Sequence, residues 1–145
     1  MLQRLKIGKA EERIWKTQFG FKSKSSTSDA IFIAKRLLEK TNMAKNGSIT
    51  MIALEMAKVF DSISPTAVVI AMERFGIPIQ ICHLIKQLYS HRQFMVKEGG
   101  SNSVFHHQFY GISQGCPLSP FLFIVMMTIL VDDARRNLNI VDTIS

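Results

Sequence analysis

From Ile49 to Leu54 the chain is apolar at nearly every position (Ile49, Met51, Ile52, Ala53, Leu54), without the alternation of a half-exposed strand. That pattern predicts a strand buried on both faces. It ends on a carboxylate, Glu55, and a second, Asp61, follows six positions later. Upstream, Ala30, Ile33, Ala34, Leu37 and Leu38 recur at helical spacing, predicting a helix to about Ala44 with a core-facing stripe. Its other face carries Lys35, Arg36, Glu39 and Lys40. Ser26, Thr27 or Ser28 can cap this helix, Asp29 suits its positive end, and Asn46-Gly47 marks a turn before the strand.

After Asp61 the pattern turns helical. Ser64 is a good N-cap, Pro65 a good first helical residue and Gly76 a good stop. Pro78 opens another helix to about Ser90, with Ile81, Leu84, Ile85, Leu88 and Tyr89 on one face and Cys82 and His83 within it. Residues 93–98 and 103–109, joined by Gly-Gly-Ser-Asn, read as a β-hairpin. His106 and His107 are adjacent, so they point to opposite faces and make no chelating pair. Residues 111–123 hold two glycines and two prolines, a sculpted loop leading into an apolar helix. Asp132 and Asp133 end that apolar stretch, and Arg135-Arg136-Asn137-Leu138 continues it as a polar helix. Residues 2–16 read as a helix tail, a turn at Gly8 and a connector, as though structure preceded them.

Composition narrows the function. At 145 residues and 47% hydrophobic, the chain fits one domain with a core rather than a disordered segment. The net charge of +7 is unevenly placed. Residues 1–45 hold eleven Lys or Arg against four Asp or Glu, and the remainder seven of each. The excess in the first third points to a polyanion-facing region, or more simply to a solvated basic surface. The longest apolar run, Phe121 to Val131, is too short to span a membrane, and no secretory leader opens the chain. Cys82 and Cys116 have no CxxC partner, so neither zinc nor a disulfide framework is implied. An intracellular location, nucleus or cytoplasm, is expected.

Glu55 is the first candidate for chemistry, because a carboxylate at the end of a buried strand is held rigidly and charged groups are rarely buried unpaired. The plainer alternative is that it marks where the strand leaves the core. Three stretches favour chemistry. Ala-Leu-Glu-Met-Ala-Lys-Val-Phe-Asp-Ser-Ile-Ser (53–64) and Gly-Ile-Ser-Gln-Gly-Cys-Pro-Leu-Ser-Pro-Phe-Leu-Phe (111–123) resemble the A and B motifs of reverse transcriptases. Gln18-Phe19-Gly20-Phe21-Lys22 resembles the Q-F-G-F-R element of the same family, particularly its non-LTR retrotransposon and group II intron branches. The motifs occur in the family's order, and the resemblance runs from residue 4 to about 136.

The resemblance implies an α+β fold, a fingers–palm fragment of a right-hand polymerase with helices packed on one face of a small, mostly antiparallel sheet. Residues 1–47 would be the basic fingers-like part and 48–145 the palm-like part. The implied activity is RNA-directed DNA synthesis, adding deoxynucleoside triphosphates to a DNA primer on an RNA template. Two magnesium ions about 3.5–4 Å apart serve this chemistry. Glu55 stands where the family has a catalytic Asp, so Glu55 and the Met56 carbonyl are the implied metal ligands. Phe60 falls at the gate that blocks a ribose 2′-hydroxyl, Asp61 is nucleotide-proximal, and Gln114 and Gly115 pack against the incoming nucleotide. Lys22, Lys24, Lys35 and Arg36 are the implied template contacts, Lys22 replacing the family Arg and losing its bidentate fork.

Departures from the family set further expectations. Glu55 is one methylene longer than Asp. Asp132-Asp133 reads as a helix end rather than the family's Tyr-x-Asp-Asp hairpin, which would then lie beyond Ser145, and the first fingers strands and the thumb have no counterpart. A fragment inactive by itself is expected. The alternatives are a non-catalytic nucleic-acid-binding remnant of a retroelement, or a decayed copy with no function.

Overall fold

Ser64 and Pro65 start the helix on which the core is built. The Ser64 hydroxyl accepts from the Ala67 amide, Pro65 takes the first helical position, and the helix runs Pro65–Arg74. Gly76 at φ 79° reverses the chain, as the sequence predicts. The structure, a computed structural model, describes residues 10–138. The predicted helix tail and Gly8 turn lie outside them. A 3₁₀ turn, Ala10–Arg13, comes first, followed by α1 (Thr27–Met43), α2 (Val59–Ser62), α3 (Pro65–Arg74), α4 (Ile79–Tyr89) and α5 (Ser119–Asn137). Four two-residue strands lie between α4 and α5: β1 (Gln93–Phe94), β2 (Lys97–Glu98), β3 (Ser101–Asn102) and β4 (His106–His107).

The core is helix on helix. α3 packs against both α4 and α5, and Val68, Met72, Ile85, Leu122 and Val125 are fully buried among them. Burying each such side chain contributes about 1.5–3 kcal/mol. Ala10 and Ile14 close one end of the same cluster. Two buried hydroxyls are satisfied: Ser119 donates to the Ser113 carbonyl at 2.6 Å and Thr128 to the Ile124 carbonyl at 2.8 Å.

The hairpin is present as two short antiparallel ladders, Gln93↔His107 with Phe94↔His106, and Lys97↔Asn102 with Glu98↔Ser101. Gly99 and Gly100, both at positive φ, make the two-residue turn between β2 and β3. Between the ladders the return strand carries one extra residue, and the Ser103 hydroxyl accepts the Val96 amide there. His106 lies against Phe94, whereas His107 lies near Gln93 and Phe109, so the two imidazoles diverge as expected.

Four expectations are corrected. Residues 49–54 form no strand and are not buried; Ile52 is 78% and Leu54 85% exposed. An apolar run becomes a two-sided strand only between pairing neighbours, and among the described residues none lies alongside it. The α1 cap is as predicted, with Ser26 and Asp29 in a reciprocal capping box, but none of its residues is buried. Its apolar stripe shows what the helix is able to bury, not that a partner covers it. On α4 the inward face is Cys82, Ile85 and Tyr89, while Leu84 and Leu88 are half exposed. Both stripes satisfy 3–4 spacing, and the small Cys82, its thiol donating to the Ile77 carbonyl, fits the close approach. Burial raises the Cys82 thiol above its ordinary value. Finally, the fold is α+β, but its helices pack on one another and every strand residue is exposed.

Candidate active site

The two stretches singled out in the sequence meet face to face. Lys58, at φ 47°, turns the chain into the single helical turn α2, which carries Phe60 and Asp61. The loop after the hairpin docks onto that turn through its backbone: Gly111 donates to the Ile63 carbonyl and Ile112 to the Phe60 carbonyl, each at 2.7 Å. Gly111 has φ +89°, and a Cβ there would lie 3.1 Å from the Asp61 carbonyl oxygen and 3.2 Å from its Cα. Only glycine permits so close an approach in that conformation. The Gln114 side-chain amide then donates to Asp61 Oδ1 at 2.8 Å.

Phe21 reaches the same place from upstream, at φ 56°. Its entry is braced by Gln18 Nε2 donating to the Gly20 carbonyl and Lys22 Nζ donating to the Trp15 carbonyl, both at 2.9 Å. Its ring meets Phe60 and Phe123 edge-on at 6.3 and 6.5 Å, and those two rings lie 5.3 Å apart. A cleft of about 420 Å³ opens beside this cluster, lined by Phe21, Phe60, Gln114 and Gly115 with Cys116, Pro117, Ser119 and Pro120. Such a cleft offers aromatic and apolar walls with one carboxamide for orientation.

Residues 1–142 match the family model described as reverse transcriptase (RNA-dependent DNA polymerase). The chain belongs to the reverse transcriptase family. No solved structure matches it. The family's members polymerise deoxynucleotides on a nucleic-acid template and primer, and the family generally uses magnesium. No helix among the described residues is long and apolar enough to cross a membrane.

In this reverse transcriptase domain the carboxylates do not converge. Glu55 and Met56 lie in the exposed irregular segment before α2. Asp61 is held by Gln114. Asp132 accepts from Trp15 Nε1 at 2.8 Å. Asp133 takes both terminal nitrogens of Arg74, at 2.7 and 2.5 Å, and this pairing draws its carboxyl below the usual range while raising the Arg74 guanidinium. Asp132 lies thirteen residues along α5 from Ser119 at the cleft, about 20 Å at the helical rise. The helix-end reading of Asp132-Asp133 thus agrees with the structure. Among the described residues no group of three or more His, Cys, Asp or Glu side chains gathers to hold a metal. Two magnesium ions need a convergent oxygen set, and the described residues do not fit them.

The predicted template contacts are dispersed. Lys24 is exposed at φ 59° in the loop after Phe21, while Lys35 and Arg36 lie exposed on α1, Arg36 pairing with Glu39 at 2.9 Å. Lys22 is turned inward on the Trp15 carbonyl. Sequence reasoning missed Arg92. Its guanidinium lies over the Tyr89 ring at 4.6 Å and donates to Ser113 Oγ and to the Tyr110 and Gly111 carbonyls, clamping the loop that carries Gln114. A solitary Arg at the start of a strand carries no mark in the sequence that sets it apart. Phe21 and Phe123 were within the recognised motifs, but their meeting with Phe60 is a tertiary fact.

Proposed function

We propose that this domain is the fingers–palm segment of a reverse transcriptase of the non-LTR retrotransposon or group II intron branch, and that the Phe60–Gln114 cleft receives the incoming deoxynucleotide. The observation that carries this reading is the lock between the two motifs: the Gln114–Asp61 hydrogen bond at 2.8 Å beside two 2.7 Å backbone bonds. It holds the Phe60 ring and the Gln114–Gly115 backbone in one fixed relation on one cleft. Phe60 supplies bulk where a 2′-hydroxyl would sit, and exposed Gly115, with no atom within 4 Å of a Cβ built on it, leaves open space for a base. Lys24, Lys35 and Arg36 offer charge to the template backbone, which is read without sequence preference.

The chain as it stands binds rather than polymerises. Asp132 and Asp133 are both engaged by Trp15 and Arg74, which favours the second reading, a nucleic-acid-binding remnant, for the isolated 145-residue chain. Primer extension on an RNA template with magnesium tests this. No extension is expected from the chain or from its Glu55→Asp variant. Extension by either one would show that Asp132 or Asp133 leaves its partner and reaches the reacting phosphate.

A further inference from the structure

Arg92 lies at the foot of the hairpin, just past the end of α4. Its carbonyl accepts the Gln108 amide at 2.8 Å, which closes the base of the hairpin. Its guanidinium rests over the ring of Tyr89, a core residue, 4.6 Å from the centroid. From that seat its terminal nitrogens reach Ser113 Oγ and the Tyr110 carbonyl, each at 3.3 Å, and the Gly111 carbonyl. A planar guanidinium fork can hold two carbonyls and a hydroxyl at once, whereas an ammonium on the same stem is a single point of charge.

The two carbonyls belong to the same peptide units that dock on the Phe60–Asp61 turn. In a trans peptide the N–H and the C=O point to opposite sides. The 110–111 unit donates its N–H to the Ile63 carbonyl and accepts from Arg92 at its C=O. The 111–112 unit donates to the Phe60 carbonyl and again accepts from Arg92. Two consecutive peptide planes are thus gripped from both sides, by the turn that carries Phe60 and by Arg92. A cation on each carbonyl polarises the unit and strengthens the bond its N–H makes on the far side. The residues that follow, Ser113, Gln114 and Gly115, are exposed, so this grip decides where they sit. Arg92 itself is not among the residues lining the cleft. We infer that Arg92 is a positioning residue that sets the cleft's preference for a deoxyribose without touching the nucleotide, a role that rests on the reading of that cleft as a deoxynucleotide site. Phe60 excludes a 2′-hydroxyl only while the Gln114–Gly115 loop keeps the nucleotide against it, and releasing the loop widens the cleft.

Equilibrium binding of dATP and ATP to the full 145-residue chain and its Arg92→Ala variant tests it, together with amide hydrogen exchange read by NMR. Arg92→Ala is expected to lose most of the parent's dATP preference. Its Gly111 and Ile112 amides are expected to exchange about tenfold faster, the typical effect of removing one charged partner, while Val125 within α5 keeps its protection. A merely structural Arg92 would not move the preference, because a smaller competent fraction weakens both ligands by the same factor. Ile85→Val, in the buried core, supplies the comparison: it destabilises the fold and is expected to keep the parent's preference. Should Arg92→Ala fail to fold, Arg92→Lys, which keeps the charge and gives up the fork, decides by the same two readouts. An undiminished preference in the Arg92 variant, or unchanged exchange at Gly111 and Ile112, overturns the inference and leaves the reading of the cleft standing. An equal loss of preference in Ile85→Val overturns it as well. Equal affinities for dATP and ATP in the parent overturn the reading of the cleft itself, and the role of Arg92 with it.

Discussion

Gly111 and Gly115 make a matched pair for testing whether the 111–115 loop is docked on the Phe60–Asp61 turn. Both have left-handed backbones, at φ +89° and +81°. Alanine therefore meets a similar conformational penalty at each, about 1–2 kcal/mol. The surroundings differ. At Gly115 nothing lies within 4 Å of a Cβ, whereas at Gly111 the Cβ meets the Asp61 carbonyl at 3.1 Å and the Phe60 carbonyl at 3.2 Å, both backbone atoms that cannot swing aside. Relieving that contact must lengthen the two 2.7 Å hydrogen bonds to Ile63 and Phe60. Overpacking of this kind costs about 1–3 kcal/mol beyond the shared term. For a domain of this size, each kcal/mol lowers the melting temperature by about 4 °C. Gly111→Ala should thus melt about 4–12 °C below Gly115→Ala, read by far-ultraviolet circular dichroism, with the same ordering in urea and an unchanged slope. Equal losses in the two variants would mean that the loop does not press on the turn, and the cleft described above would lose its frame.

Two further outcomes follow from the charges. Replacing Lys22, Lys24, Lys35 and Arg36 together with Ala should weaken sequence-independent RNA binding and flatten its salt dependence in a filter assay, since each lost phosphate contact removes about one unit of slope; unchanged affinity would refute the placement of the template there. The Arg74–Asp133 pair predicts a pH effect. Because Arg74 holds the Asp133 carboxyl below its ordinary value, the pair stabilises the fold above the usual carboxylate range and loses that contribution as pH falls through the lowered value. Asp133→Asn should therefore melt lower than the parent at about pH 7, and the gap should narrow as pH falls below the usual carboxylate range, as melting curves on acidification would show.

Much of the local structure was legible in the sequence because its signals are local. Ser26 with Asp29, Ser64 with Pro65 and Gly76 each act within a few residues, and each is where the pattern places it, while the hairpin turn is shorter than the predicted Gly-Gly-Ser-Asn loop because Ser101 and Asn102 pair as strand. What failed was partnership. Ile49, Met51, Ile52 and Leu54 look like a strand, and Ile33, Leu37 and Leu38 like a buried stripe, yet burial depends on neighbours that hydropathy does not reveal. On α4 the predicted face held Leu84 and Leu88 and omitted Cys82, and the structure buries Cys82 while leaving both leucines half exposed, again a tertiary matter. The site was legible where motif spacing carried it: Phe60, Asp61, Gln114 and Gly115 come together. Glu55 and Met56 do not join them, and Arg92, which clamps the loop, has no sequence signature at all.

The central claim is that Phe60 and the Gln114 loop form a deoxynucleotide-selective cleft, and it is tested most directly by equilibrium binding of dATP and ATP, which differ only in the 2′-hydroxyl. The parent chain should prefer dATP, and Phe60→Ala should abolish the preference by admitting ATP, while the Gly111–Ile63 frame keeps the variant folded. Equal affinities in the parent chain, or an undiminished dATP preference in Phe60→Ala, would contradict the account.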